Sequence, residues 1–164
     1  MKKVLITGIT GFVGQNLHPY LSADFECVGI SRGLDTFKNR IDYHTYFNSS
    51  DLGFGIVHLA GKAHDLKKTS NDNEYFEVNF ELTKKIFDKF LQDAQSEVFI
   101  YLSSVKAAKD TVEGILTEND QPTPVTPYGK SKLMAEEYIL KNLPTNHKRV
   151  YILRPCMIHG PGNK

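Results

Sequence analysis

Cysteine is scarce in this sequence. Only Cys27 and Cys156 occur, each inside an apolar run. The expected state is two buried thiols in a reducing cytosol, not a disulfide. Charge of one sign is missing too. Lys and Arg number 20 and Asp and Glu 19, a net charge of +1, which gives no footprint for a nucleic acid or a membrane surface. No apolar run approaches the roughly 18 residues of a membrane span. The opening MKKVLITG imitates a signal peptide, but its apolar run is short and is soon broken by Gly8, Gly11 and Gly14. A cytoplasmic protein is expected. Cys and His nowhere adopt metal-ligand spacing, so no metal is expected. His58 and His64 read as core or loop histidines. Internal repeats and low-complexity tracts are absent as well.

What is present suits one globular domain with a sizeable core. The 164 residues are 40% hydrophobic and 24% charged. Short apolar runs alternate with segments of helical spacing. The strands expected are KKVLIT, ECVGIS, a weak IDYHTY, GIVHLAG, EVFIYLSSV and KRVYILRP. Between them, FVGQNLHPYLSA, NEYFEVNFELTKKIFDKFLQDA and SKLMAEEYILKNL read as helices. That alternation predicts an α/β fold, a Rossmann-type doubly wound parallel sheet covered on both faces. Lys106 to Pro127, with three prolines, reads as a loop crossing the mouth of the sheet. Two apolar stripes mark the long helix: Val78, Leu82, Ile86, Phe90 and Phe76, Phe80, Phe87, Leu91. So wide an arc fits deep burial or a subunit contact, which leaves open a homodimer through the 74–94 and 129–143 helices.

Four short stretches carry chemistry. TGITGFVG follows the first strand and opens a helix. Gly8, Gly11 and Gly14 allow a tight turn and close backbone approach to a pyrophosphate, which then sits on the helix N-terminus. Their spacing is G-x-x-G-x-x-G, unlike the G-x-G-x-x-G of many dinucleotide folds. The second strand ends in Ser31 and Arg32, about 20 residues beyond the glycines, where an NAD-selecting chain usually carries Asp or Glu. An arginine there suits a 2′-phosphate, favouring NADP(H) with NAD(H) possible. Ser103 and Ser104 close the fifth strand, where open α/β sheets place ligands; alone they read equally as turn residues. In TPYGKSK, Tyr128 stands four residues before Lys132, on one helical face. A free phenol has a pKa near 10, too high for a base at neutral pH, and a nearby ammonium lowers it.

TGITGFVG, VHLAG, the asparagine of FEVNFELT, YLSSV, TPYGKSKLMAEE and LRPCMIHGPG occur in that order. Together they resemble the extended short-chain dehydrogenase/reductase family, in its nucleotide-sugar epimerase/dehydratase branch. The resemblance implies that Gly8, Gly11, Phe12, Val13 and Gly14 hold the cofactor pyrophosphate. It implies Tyr128 as acid/base, Lys132 on the nicotinamide ribose and as tuner of Tyr128, and Ser104 on the reacting sugar oxygen. Asn79 would order the site, and Ala60 and Gly61 would flank the cofactor. The sequence departs from the family's 4,6-dehydratases, which carry Asp-Glu where Val105 and Lys106 stand. Epimerisation or keto-sugar reduction is therefore expected, on a nucleotide-sugar substrate. Family members run to about twice this length, so residues 1–164 are expected to be the cofactor domain, with the substrate domain mostly absent and the piece alone inactive. The alternative function is a non-catalytic NADP(H)-binding sensor; retention of Ser104, Tyr128 and Lys132 argues for chemistry.

Overall fold

The computed structural model describes residues 1–33, 39–62 and 71–162. Six strands form one sheet: β1 (Lys2–Thr7), β2 (Phe25–Ser31), β3 (Arg40–Asp42), β4 (Gly55–His58), β5 (Val98–Leu102) and β6 (Arg149–Leu153). Their order is β3-β2-β1-β4-β5-β6, and every neighbouring pair is parallel. The helices are α1 (Phe12–Leu21), α2 (Tyr43–Asn48), α3 (Asp72–Tyr75), α4 (Leu82–Gln92) and α5 (Pro127–Lys141). The order reverses between β1 and β4, so the chain leaves these neighbours in opposite directions. A crevice opens there beyond the strand ends.

Alternation along the strands divides the core. Val4, Ile6, Cys27 and Val57 pack beside Leu17 and Leu21 of α1. Leu5, Ile30, Ile56, Phe99 and Tyr101 face the other way, against Ile86, Phe87 and Phe90 of α4 and Ile139 of α5. Phe99 lies 5.0 Å from the Phe87 ring and 5.3 Å from the Phe90 ring. Burying each such side chain contributes about 1.5–3 kcal/mol. Phe80, Leu82 and Leu91 also pack on this core, so much of the apolar arc is used within one chain.

Four expectations need correction. IDYHTY is a strand only through Asp42. The Asp42 carboxylate then accepts the Thr45 N–H at 2.7 Å, capping α2 and turning the chain into a helix that buries Tyr46. The long helix is interrupted by a π-helical stretch, Phe76–Glu81, centred on Asn79. The last helix starts at Pro127, four residues before the expected SKLMAEE, because Thr126 caps it and Pro127 suits its first turn. Cys27 is buried as expected, but Cys156 is exposed, since the chain has left the edge strand β6 by then. Both thiols are free.

Lys148 has a role no spacing reveals. Its ammonium donates to the carbonyls of Phe90 (3.1 Å), Asp93 (2.5 Å) and Ser96 (2.6 Å). It lies 4.5 Å from the Phe90 ring centroid. The last carbonyls of α4 thus find a charged donor from the start of β6.

Candidate functional site

Two cavities of about 380 and 410 Å³ lie over the crevice and share Gly8, Gly11 and Gly61. The first is lined by the glycine loop with Phe12, Val13 and Gly14, and by Ser104, Tyr128 and Lys132. The second reaches Ser31, Arg32, Tyr43 and Ala60. Twelve of the thirteen residues singled out from sequence therefore line one trough. Asn79 is the exception: it is fully buried beneath it. His64 lies outside the described residues.

The glycines are placed by contact geometry. Gly8 has φ +68°, and a Cβ there would meet Ala60 N at 2.7 Å. A Cβ on Gly14 would meet Gly8 O and Ile9 Cα at 2.5 Å. The loop thus lies flat against the β4 exit and the base of α1. Gly11, at the N-cap of α1, offers no side chain to the free N–H groups of the first turn. Those donors and the positive end of the helix suit an anion.

A hydrogen-bond relay fixes this loop from below. The Ala60 N–H donates to Thr7 Oγ1 at 3.0 Å, which lies 2.6 Å from His58 Nδ1. On the far side, His58 Nε2 is 2.8 Å from Thr83 Oγ1, which donates to the Asn79 carbonyl at 2.8 Å. Because the Thr83 proton is committed to that carbonyl, Nε2–H must donate to Thr83 and Nδ1 must accept from Thr7. Burial and the charge of Lys132 push His58 down to about 3, so it stays neutral and keeps this tautomer. The sequence presents His58 as an ordinary core residue, because its partners at positions 7 and 83 carry no local signal.

Asn79 makes a second clamp. Its Oδ1 accepts the Lys62 N–H at 2.7 Å and its Nδ2 donates to Ser131 Oγ at 3.1 Å. The Ser131 hydroxyl donates to the Tyr128 carbonyl at 2.9 Å. The loop after β4 is thereby tied to the first turn of α5. Gly129 brings that turn close, since a Cβ there would run into the Lys106 carbonyl and Pro124. The contact sets Tyr128 beside Ser104.

Electrostatics divides the pair in YGKSK. Burial pushes the Tyr128 phenol above its ordinary pKa, a hydrogen bond with Ser104 pulls it down, and Tyr75 adds a small upward push. Lys132 is 4% exposed, and its ammonium donates to the Leu102 carbonyl at 2.9 Å and sits 4.9 Å from the Tyr101 ring centroid. Burial lowers it to about 8, with the Glu136 carboxylate opposing. Ser104 is a group whose hydrogen bond lowers the phenol.

At the other end, Arg40 Nη1 lies 3.2 Å from Ser31 Oγ and also donates to the Gly33 carbonyl. Tyr43 is pushed up to about 12 by burial, with the Arg32 charge opposing. Two guanidinium groups therefore border this end, and no carboxylate lines it among the described residues.

Comparison with known proteins agrees with this geometry. Residues 4–164 match a model of the NAD dependent epimerase/dehydratase family. The chain is 28% identical to UDP-glucose 4-epimerase of Vibrio cholerae, over 99% of this chain and 54% of that one. It is likewise 28% identical to GDP-6-deoxy-D-mannose reductase of Pseudomonas aeruginosa, with the same coverage. It spans about half the length of these relatives. Among solved structures, MoeE5 in complex with UDP-glucuronic acid and NAD superimposes with a TM-score of 0.82 at 26% identity, over 99% of this chain and 57% of that one. Human epimerase family protein SDR39U1 with NADPH shares the fold, with a TM-score of 0.82 at 20% identity, over 98% of this chain and 56% of that one.

Proposed function

From the premise that the chain belongs to the NAD dependent epimerase/dehydratase family, we propose that it is the cofactor-binding and catalytic domain of a nucleotide-sugar epimerase or keto-sugar reductase. The observation that carries this reading is the meeting of Ser104, Tyr128 and Lys132 with the glycine loop around one cavity. When bound, the nicotinamide supplies or takes up hydride. The glycine loop and the N-terminus of α1 would hold the pyrophosphate. Lys132 would hold the nicotinamide ribose, and Ser104 the reacting sugar oxygen. Tyr128 would take the proton of the sugar hydroxyl at its phenolic oxygen and return it to the keto oxygen. Val105 and Lys106 start a 3₁₀ turn capped by Ser104 and bring no carboxylate for loss of water.

The relatives named above act on UDP- and GDP-sugars, and this chain spans about half their length. The sugar is proposed to be held mainly by residues outside the matched half. Binding of cofactor without turnover is the result expected of the 164-residue chain. Calorimetry for binding, with assays on UDP- and GDP-sugars, tests both statements. No cofactor binding overturns the function; turnover by this chain alone overturns the placement of the sugar site.

NADP(H) is proposed as the preferred cofactor, because Arg32 borders the cavity end where a carboxylate would select the 2′-hydroxyl. A charge-assisted contact to phosphate is worth about 1.5–3 kcal/mol. Arg32→Ala should therefore weaken NADPH binding about tenfold or more and leave NADH binding nearly unchanged. Equal affinities of the parent for the two cofactors would refute the preference.

A further inference from the structure

Glu136 lies beneath the site, one helical turn beyond Lys132 and on the same face of α5. Its side chain is 1% exposed, and a buried carboxylate must be paired to be tolerated. Arg154 grips it with two nitrogens: Nε lies 3.1 Å from Oε1 and 3.0 Å from Oε2, and Nη2 bonds Oε2. The Ser103 hydroxyl donates to Oε1. One carboxylate thus ties α5 to the exits of both β5 and β6. Backbone bonds follow the same seam, from Ser103 N–H to Leu153 O at 2.7 Å and from Val105 N–H to Pro155 O at 3.1 Å. Ser103 stands between Leu102, whose carbonyl receives the Lys132 ammonium, and Ser104, which meets Tyr128.

We infer that Glu136 is a positioning residue of this site: it locks the β5 exit against α5 and β6, and it places a buried negative charge one helical turn from Lys132 beneath the cofactor trough. The groups around Lys132 support the second half. From α5 come Tyr128 and Glu136, from β5 Tyr101, and from β4 His58. Lys62 lies across the cavity and is paired with Glu74 at 2.6 Å. His58 is neutral, and burial holds the Tyr101 phenol well above its ordinary range. Arg154 stands behind Glu136. Burial disfavours the ammonium, and Glu136 is the carboxylate that opposes it. The consequence for cofactor binding rests on the function proposed above; the charge of Lys132 itself does not need it.

The test reads Lys132 directly in the 164-residue chain carrying ¹³C-labelled lysine. The Cε signal of Lys132, assigned by its loss in Lys132→Met, is followed from neutral to strongly alkaline pH. Glu136→Gln should move the titration midpoint down by about half a unit or more. Glu136→Asp should restore most of it. Ser103→Ala keeps the charge and should leave the midpoint in place. If Glu136→Gln does not fold, the double variant Glu136→Gln with Arg154→Met replaces the whole ion pair, which is often tolerated, and should show a smaller downward shift, because the more distant Arg154 charge is lost with the carboxylate. A midpoint equal to the parent in the neutralised variant overturns the inference. So does a shift in Ser103→Ala as large as that of Glu136→Gln, which would make loosening the cause. NADPH binding measured alongside separates the two readings. A parent that binds no cofactor removes the function, while the lysine titration still decides the role of Glu136.

Discussion

Tyr128→Phe is expected to lower nucleotide-sugar turnover by about 10²–10⁴-fold while changing cofactor affinity by less than about twofold. The substitution removes one oxygen and keeps the ring, which packs edge-on to Tyr75 at 6.2 Å. In the proposed binding mode the pyrophosphate is held by other atoms, at the glycine loop and the start of α1. The turnover assay belongs to the polypeptide that carries the sugar-binding residues, and the affinity to a titration of either form. Retention of more than about a tenth of the activity would remove Tyr128 from proton transfer. The pH dependence sharpens the test. Burial raises the phenol's pKa, and the hydrogen bond with Ser104 opposes it. A base with a raised pKa is deprotonated only at higher pH, so Ser104→Ala should move the onset of activity upward in pH. An unmoved onset would mean that Ser104 acts on substrate alone.

The second large effect is expected at Gly14→Ala, a change of one methyl group. The new Cβ would stand 2.5 Å from Gly8 O and Ile9 Cα and 2.6 Å from Ile9 O. All three are backbone atoms, so no side chain can turn aside. Overpacking costs about 1–3 kcal/mol when side chains yield, and here the loop itself has to move. The expected results are a Tm lower by about 5–10 °C and NADPH affinity reduced by about tenfold or more, because the cradle no longer fits the pyrophosphate. Gly33→Ala serves as the stability control, since a Cβ there meets nothing within 4 Å. Thermal melts with and without NADPH measure both effects. Wild-type stability and affinity in Gly14→Ala would show that the loop has slack.

The parts of this design visible in sequence are those encoded over a few neighbouring residues. Runs such as VLI and GIV are apolar throughout because the central strands are buried on both faces. The glycine loop shows its strand, turn and helix within a dozen positions. Tyr128 and Lys132 share a face of one helix. The hidden parts depend on partners far apart along the chain. Glu136 reads as one more charge in KLMAEE until Ser103 and Arg154 meet it. His58 gains its role from threonines 51 positions before it and 25 after it. The π-helical stretch arises from no residue preference, though the Thr83 hydroxyl at the Asn79 carbonyl accompanies it. Cys156 reads as buried because an apolar run does not reveal that the chain has already left the edge strand β6 before that position.

Lys148 bears on how the molecule comes apart. Edge strands are ordinarily first to open, with amides that exchange quickly. Here β6 is preceded by an ammonium anchored on the carbonyls of Phe90 and Asp93 at the end of α4 and of Ser96 just beyond it. Opening β6 therefore also means breaking that anchor and uncovering the Phe90 ring. The β6 edge and the C-terminal turn of α4 should behave as one cooperative unit. In native-state hydrogen exchange, the amides of Tyr151 and Leu153, which face β5, should share an opening free energy with those of the last turn of α4, and in Lys148→Met both sets should become faster together.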